Sequence, residues 1–241
     1  MRRSAQLARI YPHLRFQSVR GNVGTRLSKL DAEDSPFSAI VLAAAGLIRL
    51  GLADRISTFL SSKNVEGAVD HSSTEQAPPA AHERVEAQKR FDAETQDRNP
   101  RWGMLHAVGQ GALAIETRQG DARVEALLAP LHDKETALAT LAERSLMRTL
   151  EGGCSVPIGV ETSWGDVEGG GEVDLSMKAI VCSVDGGKAV TASMTRKIET
   201  EAQSDEFGRE MARLLLERGA GPILSEINLN RDILEKQAGN A

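Results

Sequence analysis

Residues 61–101 contain neither leucine nor isoleucine. The segment carries Pro78-Pro79 and is dominated by Ser, Glu, Gln, Asp, Arg and Ala. Such a stretch cannot bury enough apolar area to offset the entropy of ordering it. It is expected to be a disordered or weakly helical insertion, so any packed core must come from the flanks.

The N-terminal flank alternates between helix and strand signals. Ala5, Leu7, Ile10 and Leu14 supply helical spacing, and Tyr11-Pro12 breaks the helix. Residues 16–19 alternate like a short strand, and residues 20–26 form a glycine-bearing turn before a further helical turn at 27–30. Residues 38–43 (SAIVLA) form an apolar run of strand length, typical of a parallel strand buried on both faces, with helix expected over 44–52. This alternation points to an α/β unit.

The C-terminal flank reads as α+β. Residues 112–116 suggest a strand and 121–131 a short helix. Asp133 is a fitting N-cap for a helix over 134–150, with Leu138, Leu141, Ala142, Leu146 and Leu150 on one face. Gly152-Gly153 would close it. Strands are expected at 156–161, 173–184 and 189–197, with Asp185-Gly186-Gly187-Lys188 as a hairpin turn. A last long helix at 202–218 carries Phe207, Met211, Leu214 and Leu215, with Gly219 as its stop, and a fraying helix follows Leu224.

Charge is unevenly distributed. Residues 1–30 hold seven basic side chains (Arg2, Arg3, Arg9, Arg15, Arg20, Arg26, Lys29) and no acid, while the rest holds 22 basic and 34 acidic ones. That pattern argues against a nucleic-acid binder and for a localised anion site. Eight aromatics are too few for a base-stacking surface. The Arg-rich, acid-poor start also fits the composition of a transit peptide, but an anion site accounts for it better. Arg2, Arg3, Arg20 and Arg26 lie around a glycine turn whose backbone N–H groups could help hold a carboxylate or phosphate. Neither a P-loop nor a nucleotide fingerprint is present.

The two cysteines, Cys154 and Cys182, do not make a disulfide scaffold, so a cytoplasmic, reducing compartment is expected. Cys182 sits in a strand pattern and reads as core. Cys154 sits in Gly152-Gly153-Cys154-Ser155-Val156-Pro157, a tight loop that could present a thiol into a cleft. The five histidines show no metal-ligand spacing, so no metal is expected. No apolar run is long enough to span a bilayer.

Five blocks in order resemble one family. They are Arg2-Arg3-Ser4-Ala5-Gln6-Leu7, Val19-Arg20-Gly21-Asn22-Val23-Gly24-Thr25-Arg26-Leu27-Ser28-Lys29-Leu30, residues 39–52, Ala107-Val108-Gly109-Gln110-Gly111-Ala112-Leu113-Ala114-Ile115-Glu116, and Leu150-Glu151-Gly152-Gly153-Cys154-Ser155-Val156-Pro157-Ile158-Gly159. Together they resemble the porphobilinogen deaminase (hydroxymethylbilane synthase) family, over nearly the whole chain except 61–101.

The resemblance implies two related α/β domains hinged like a periplasmic binding protein, and a smaller α+β third domain. It implies stepwise head-to-tail condensation of four porphobilinogen molecules with release of ammonia, in heme biosynthesis. The primer is a dipyrromethane cofactor held by a thioether, by motif at Cys154. By motif, Arg2, Arg3, Arg20 and Arg26 hold the acetate and propionate groups of cofactor and growing chain. A monomer with no nucleic-acid or membrane partner is implied.

On this reading residues 1–105 are the periplasmic-binding-protein-like α/β domain (family domain 2) with the insertion 61–101. Residues 106–131 are the return segment of domain 1, and residues 132–241 are the α+β domain. Met1-Arg2-Arg3 falls inside the family motif Gly-Thr-Ser-Ser-x-Arg-Arg. The expectation is therefore that most of domain 1, with the family's catalytic aspartate, is missing, and no aspartate is carried over. A non-catalytic, carboxylate-binding remnant is the alternative to a transferase whose N-terminal part was lost from the gene model. The literal chain is expected to show no turnover and weakened stability.

Overall fold

A computed structural model describes residues 1–60, 103–150, 156–166 and 173–227. The insertion 61–101, the glycine pair expected to end the helix, and Cys154 lie outside the described residues, as does most of the tail after Leu224. The described residues form a mixed α/β structure with one small antiparallel sheet.

The larger core is built on β1 (Ile158–Asp166), β2 (Val173–Cys182) and β3 (Ala189–Arg196), paired antiparallel in sequence order. Trp164 opposite Leu175, and Val181 opposite Val190, fix the register. Alternation sorts the side chains of β2 to two faces. Leu175, Met177, Ala179 and Val181 point into the larger core, whereas Ile180 and Cys182 join Ala5, Leu105 and Ala189 in a smaller one.

Two helices cover the first face. Helix α5 (Lys134–Thr149) begins at Asp133, whose carboxylate accepts the Thr136 N–H at 2.8 Å, as the sequence predicts. Helix α6 (Glu201–Leu215) opens with a reciprocal capping box between Thr200 and Gln203. Leu138, Ala142 and Leu146 of α5 and Phe207, Met211 and Leu215 of α6 are buried against the sheet. Ser145 Oγ donates to the Asp205 carbonyl at 2.6 Å, pinning one helix on the other.

The N-terminal part contributes α1 (Arg2–Ile10), α2 (Val23–Asp31) and α3 (Ala44–Arg49), and α4 (Ala122–Leu128) precedes α5. Helix α1 ends at Tyr11, before Pro12, as expected. Its residues Ala5 to Ala8 are all buried, and the Ser183–Lys188 hairpin turn packs against it.

Several expectations are corrected. Residues 16–19, 38–43 and 112–116 are not strands. An apolar run favours burial, but a strand also needs a neighbour to satisfy its N–H and C=O groups, and no described segment pairs with these. Leu113 and Ile115 are in fact exposed. Gly219 stops the long helix as expected, since its φ of +101° is non-helical, but the helix that follows starts at residue 221 rather than after Leu224 and buries Ile223, Leu224 and Ile227. Strand β1 also runs past residue 161, because its ladder with β2 continues through polar residues.

The hairpin turn yields a direct test. Gly186 has φ +78°, and a Cβ there would overlap the Ala5 carbonyl oxygen and press on Ala8 Cβ at 3.3 Å. Gly120 has φ +79° but nothing within 4 Å of its Cβ position. Gly186→Ala is expected to cost about 2–3 kcal/mol, combining backbone strain with overpacking. Gly120→Ala should cost about 1 kcal/mol or less, from the backbone alone. Urea unfolding of the two variants side by side measures the difference.

Candidate functional site

The acid-free N-terminal stretch folds so that three of its arginines converge. Arg2 and Arg3 start α1, where the first-turn backbone N–H groups lack helical partners. Arg26 lies on the first turns of α2, which Asn22 caps by accepting the Thr25 N–H at 2.8 Å.

Arg2 is half-buried and fixed at two points. Its Nη1 donates to the Leu105 carbonyl at 2.8 Å and its Nη2 to Gln110 Oε1 at 3.0 Å. Arg3 Nη1 donates to the Val41 carbonyl at 3.1 Å, and Arg26 Nε to the Gly21 carbonyl at 2.7 Å. Each guanidinium carries five N–H donors, so each keeps donors for a further acceptor.

Electrostatics show what these groups lack. Burial lowers the Arg2 pKa to about 10, and the charge of Arg3 adds to the effect. Arg3 is lowered by burial and then by the charge of Arg26. Among the described residues no carboxylate lies within ion-pair distance of Arg2, Arg3, Arg20 or Arg26. Burial and mutual repulsion both disfavour these charges, and an anion bound beside them would offset that cost. Arg20 is placed differently. It is exposed, and its carbonyl accepts Lys29 Nζ at 3.1 Å.

Cys182 is fully buried with a free thiol, and burial pushes its pKa up to about 12 despite the nearby Arg9 charge. It packs in the smaller core, and burial disfavours its thiolate form. Cys154 cannot be placed, since it lies outside the described residues. Among the described residues no cluster of His, Cys, Asp and Glu is arranged to hold a metal, and no helix is long and apolar enough to cross a membrane.

Two buried polar residues that hold the 105–111 segment escaped the sequence reading. Gln6 and Glu143 are both buried. Gln6 is one turn along α1 from Arg2 and accepts the Leu105 N–H at 2.8 Å. Glu143 Oε2 accepts the Gly109 N–H at 2.7 Å and Oε1 the Thr162 hydroxyl at 2.6 Å. The available signal was an amide at a core-facing position of a helix, four residues from an arginine.

Comparison with known proteins adds to this geometry. Residues 1–72 match the family model of the porphobilinogen deaminase dipyromethane cofactor binding domain, and residues 137–217 match that of the porphobilinogen deaminase C-terminal domain. The chain is 43% identical over 229 residues to the porphobilinogen deaminase of Yarrowia lipolytica, covering 95% of this chain and 54% of the relative. It is 42% identical over 231 residues to that of Neurospora crassa (96% and 56%) and 44% identical over 230 residues to that of Eremothecium gossypii (95% and 57%). The chain thus spans little more than half the length of the curated relatives it matches. Two family models in the right order, and this identity along nearly all of its length, show that the chain belongs to the porphobilinogen deaminase family.

Proposed function

We propose that this chain serves a hydroxymethylbilane synthase, a transferase that joins four porphobilinogen molecules head to tail on a dipyrromethane primer held by Cys154. The observation that carries this reading is the convergence of Arg2, Arg3 and Arg26 with no carboxylate beside them among the described residues. Each pyrrole unit brings two carboxylates, so the growing chain gains negative charge at every condensation. Partly buried guanidinium groups with spare donors fit that donor–acceptor chemistry.

Placement supports a role for each residue. Arg2 and Arg3, at the start of α1, would hold carboxylates of the cofactor. Arg26 on α2 would hold one from the opposite side, and exposed Arg20 would meet units arriving from solvent. When bound, dipyrromethane supplies a nucleophilic pyrrole carbon and a tether against loss of the growing chain. The free buried thiol of Cys182 suits a reducing, cytoplasmic compartment.

The domain organisation belongs to the same proposal. Residues 1–105 would form the family's second domain, 106–131 the return segment of its first, and 132–241 its third. In support, every residue of the larger buried cluster falls between 138 and 227.

The test is intact-mass analysis of the purified chain after incubation with porphobilinogen. The expected result is a mass gain of whole pyrrole units on the peptide bearing Cys154, and none in Cys154→Ser. Release of bilane identifies the transferase. Binding of porphobilinogen without turnover identifies a non-catalytic carboxylate-binding module. An adduct on Cys182, or no binding at all, overturns the proposal.

A further inference from the structure

We infer that Gln6 and Glu143 are positioning residues that aim Arg2 at its anionic ligand, by clamping the segment between Leu105 and Gly111 from both sides. The inference rests on the reading of Arg2 as a carboxylate-binding group.

The segment provides both acceptors that hold Arg2, the Leu105 carbonyl and the Gln110 side chain. Its own position is set by three separate anchors. Gln6 grips the Leu105 residue at both polar groups. Its Oε1 accepts the N–H at 2.8 Å, and its Nε2 donates to the carbonyl at 3.2 Å. The Leu105 carbonyl thus receives Gln6 and Arg2 together, side chains one helical turn apart on α1. His106 then pairs with Val160 of β1 through reciprocal bonds of 2.9 Å. Glu143 of α5 takes the Gly109 N–H, next to Gln110.

The surroundings are shaped for this arrangement. Gly159 on β1 leaves room for the Gln6 amide, since a Cβ there would stand 2.7 Å from Gln6 Nε2 and 2.9 Å from Leu105 Cβ. Burial pushes the Glu143 pKa up, the cost of keeping a carboxylate there. A buried carboxylate held mainly by a backbone N–H and a hydroxyl, with only a smaller contribution from the His106 charge, is an expensive way to hold a turn. The expense is understandable if the placement of Gln110 matters.

The substitutions separate positioning from bulk stability. In Glu143→Gln the amide oxygen can accept the Gly109 N–H while Nε2 donates to the Thr162 oxygen, so the turn keeps both bonds. Glu143→Leu removes both, Gln6→Met strips the Leu105 clasp, and Gln110→Met deletes one acceptor of Arg2 at a half-buried site.

Porphobilinogen binding to the purified chain is measured by calorimetry, with thermal unfolding recorded for every variant. Arg2→Gln is expected to weaken binding about 10- to 100-fold, as loss of a charge-assisted bond does. Glu143→Leu, Gln6→Met and Gln110→Met should each weaken it about 5- to 10-fold. Glu143→Gln should stay within about twofold of the wild type, since both bonds persist. If Arg2→Gln binds like the wild type, the carboxylate reading fails and the inference with it. If Arg2→Gln weakens binding but Gln110→Met and the folded variants at 6 and 143 do not, the inference alone is overturned. Should Glu143→Leu or Gln6→Met fail to fold, Glu143→Asp, which keeps the charge but shortens the reach to the Gly109 N–H, takes their place: weaker binding supports the inference and wild-type binding overturns it.

Discussion

Truncating Phe207 to alanine is expected to cost about 3–5 kcal/mol, the usual range for emptying a fully buried aromatic site. Phe207 heads the largest fully buried side chains and is 0% exposed. It sits on α6 within the core formed by the sheet and α5, where Leu146, Met177 and Met211 are also sealed from solvent. These neighbours belong to different elements tied by ladders and caps, so the site cannot collapse to fill the void. Since a typical domain is stable by only about 5–15 kcal/mol, this one change removes a large share. Urea unfolding followed by circular dichroism measures it. Leu214→Ala, at a half-buried position on the same helix, supplies the comparison and should cost well under half as much. Equal losses at the two positions would show that α6 does not bury the face described.

Arg3→Gln should move binding and stability in opposite directions. Arg3 is a partly desolvated cation facing Arg2 and Arg26 with no carboxylate in reach among the described residues. Removing its charge relieves that repulsion, so the melting temperature of the free chain should hold or rise. Porphobilinogen affinity should fall about 10- to 100-fold, the value of one charge-assisted hydrogen bond. The wild-type affinity should also weaken as salt is raised, more steeply than that of the variant. Residues kept for structure lose stability when replaced, whereas residues kept for a ligand cost stability while it is absent. A lower melting temperature with unchanged affinity would falsify the assignment of Arg3 to the clamp.

The sequence revealed the C-terminal layer far better than the N-terminal part, and the reason is local. In β2 the two-residue alternation places Leu175, Met177, Ala179 and Val181 on one face, and both neighbours in the sheet are joined to it along the chain. Asp133 marks a helix start through a bond only three residues long. Residues 38–43 and 112–116 carry an equally strong apolar signal, yet strand formation depends on a partner that hydrophobicity alone cannot supply. At the candidate site, the absence of acids pointed to Arg2, Arg3, Arg20 and Arg26, because charge imbalance is visible in composition, whereas the exposure of Arg20 is not. Gln6 and Glu143 were invisible. Their partners, Leu105 and Gly109, lie 99 and 34 residues away, and an isolated Gln or Glu in a helix normally faces water.

The seating of the Gly186 turn beneath α1 has a kinetic side. A helix of nine residues is too short to persist in water by itself. The turn beneath Ala5 and the Ile180–Cys182 end of the sheet supply the surface that keeps it wound. Helix α1 and the hairpin should therefore open together as one cooperative unit, with their amide protons exchanging at a common rate. Whatever loosens the distant end of the sheet would then release the two arginines at the start of α1 in the same event.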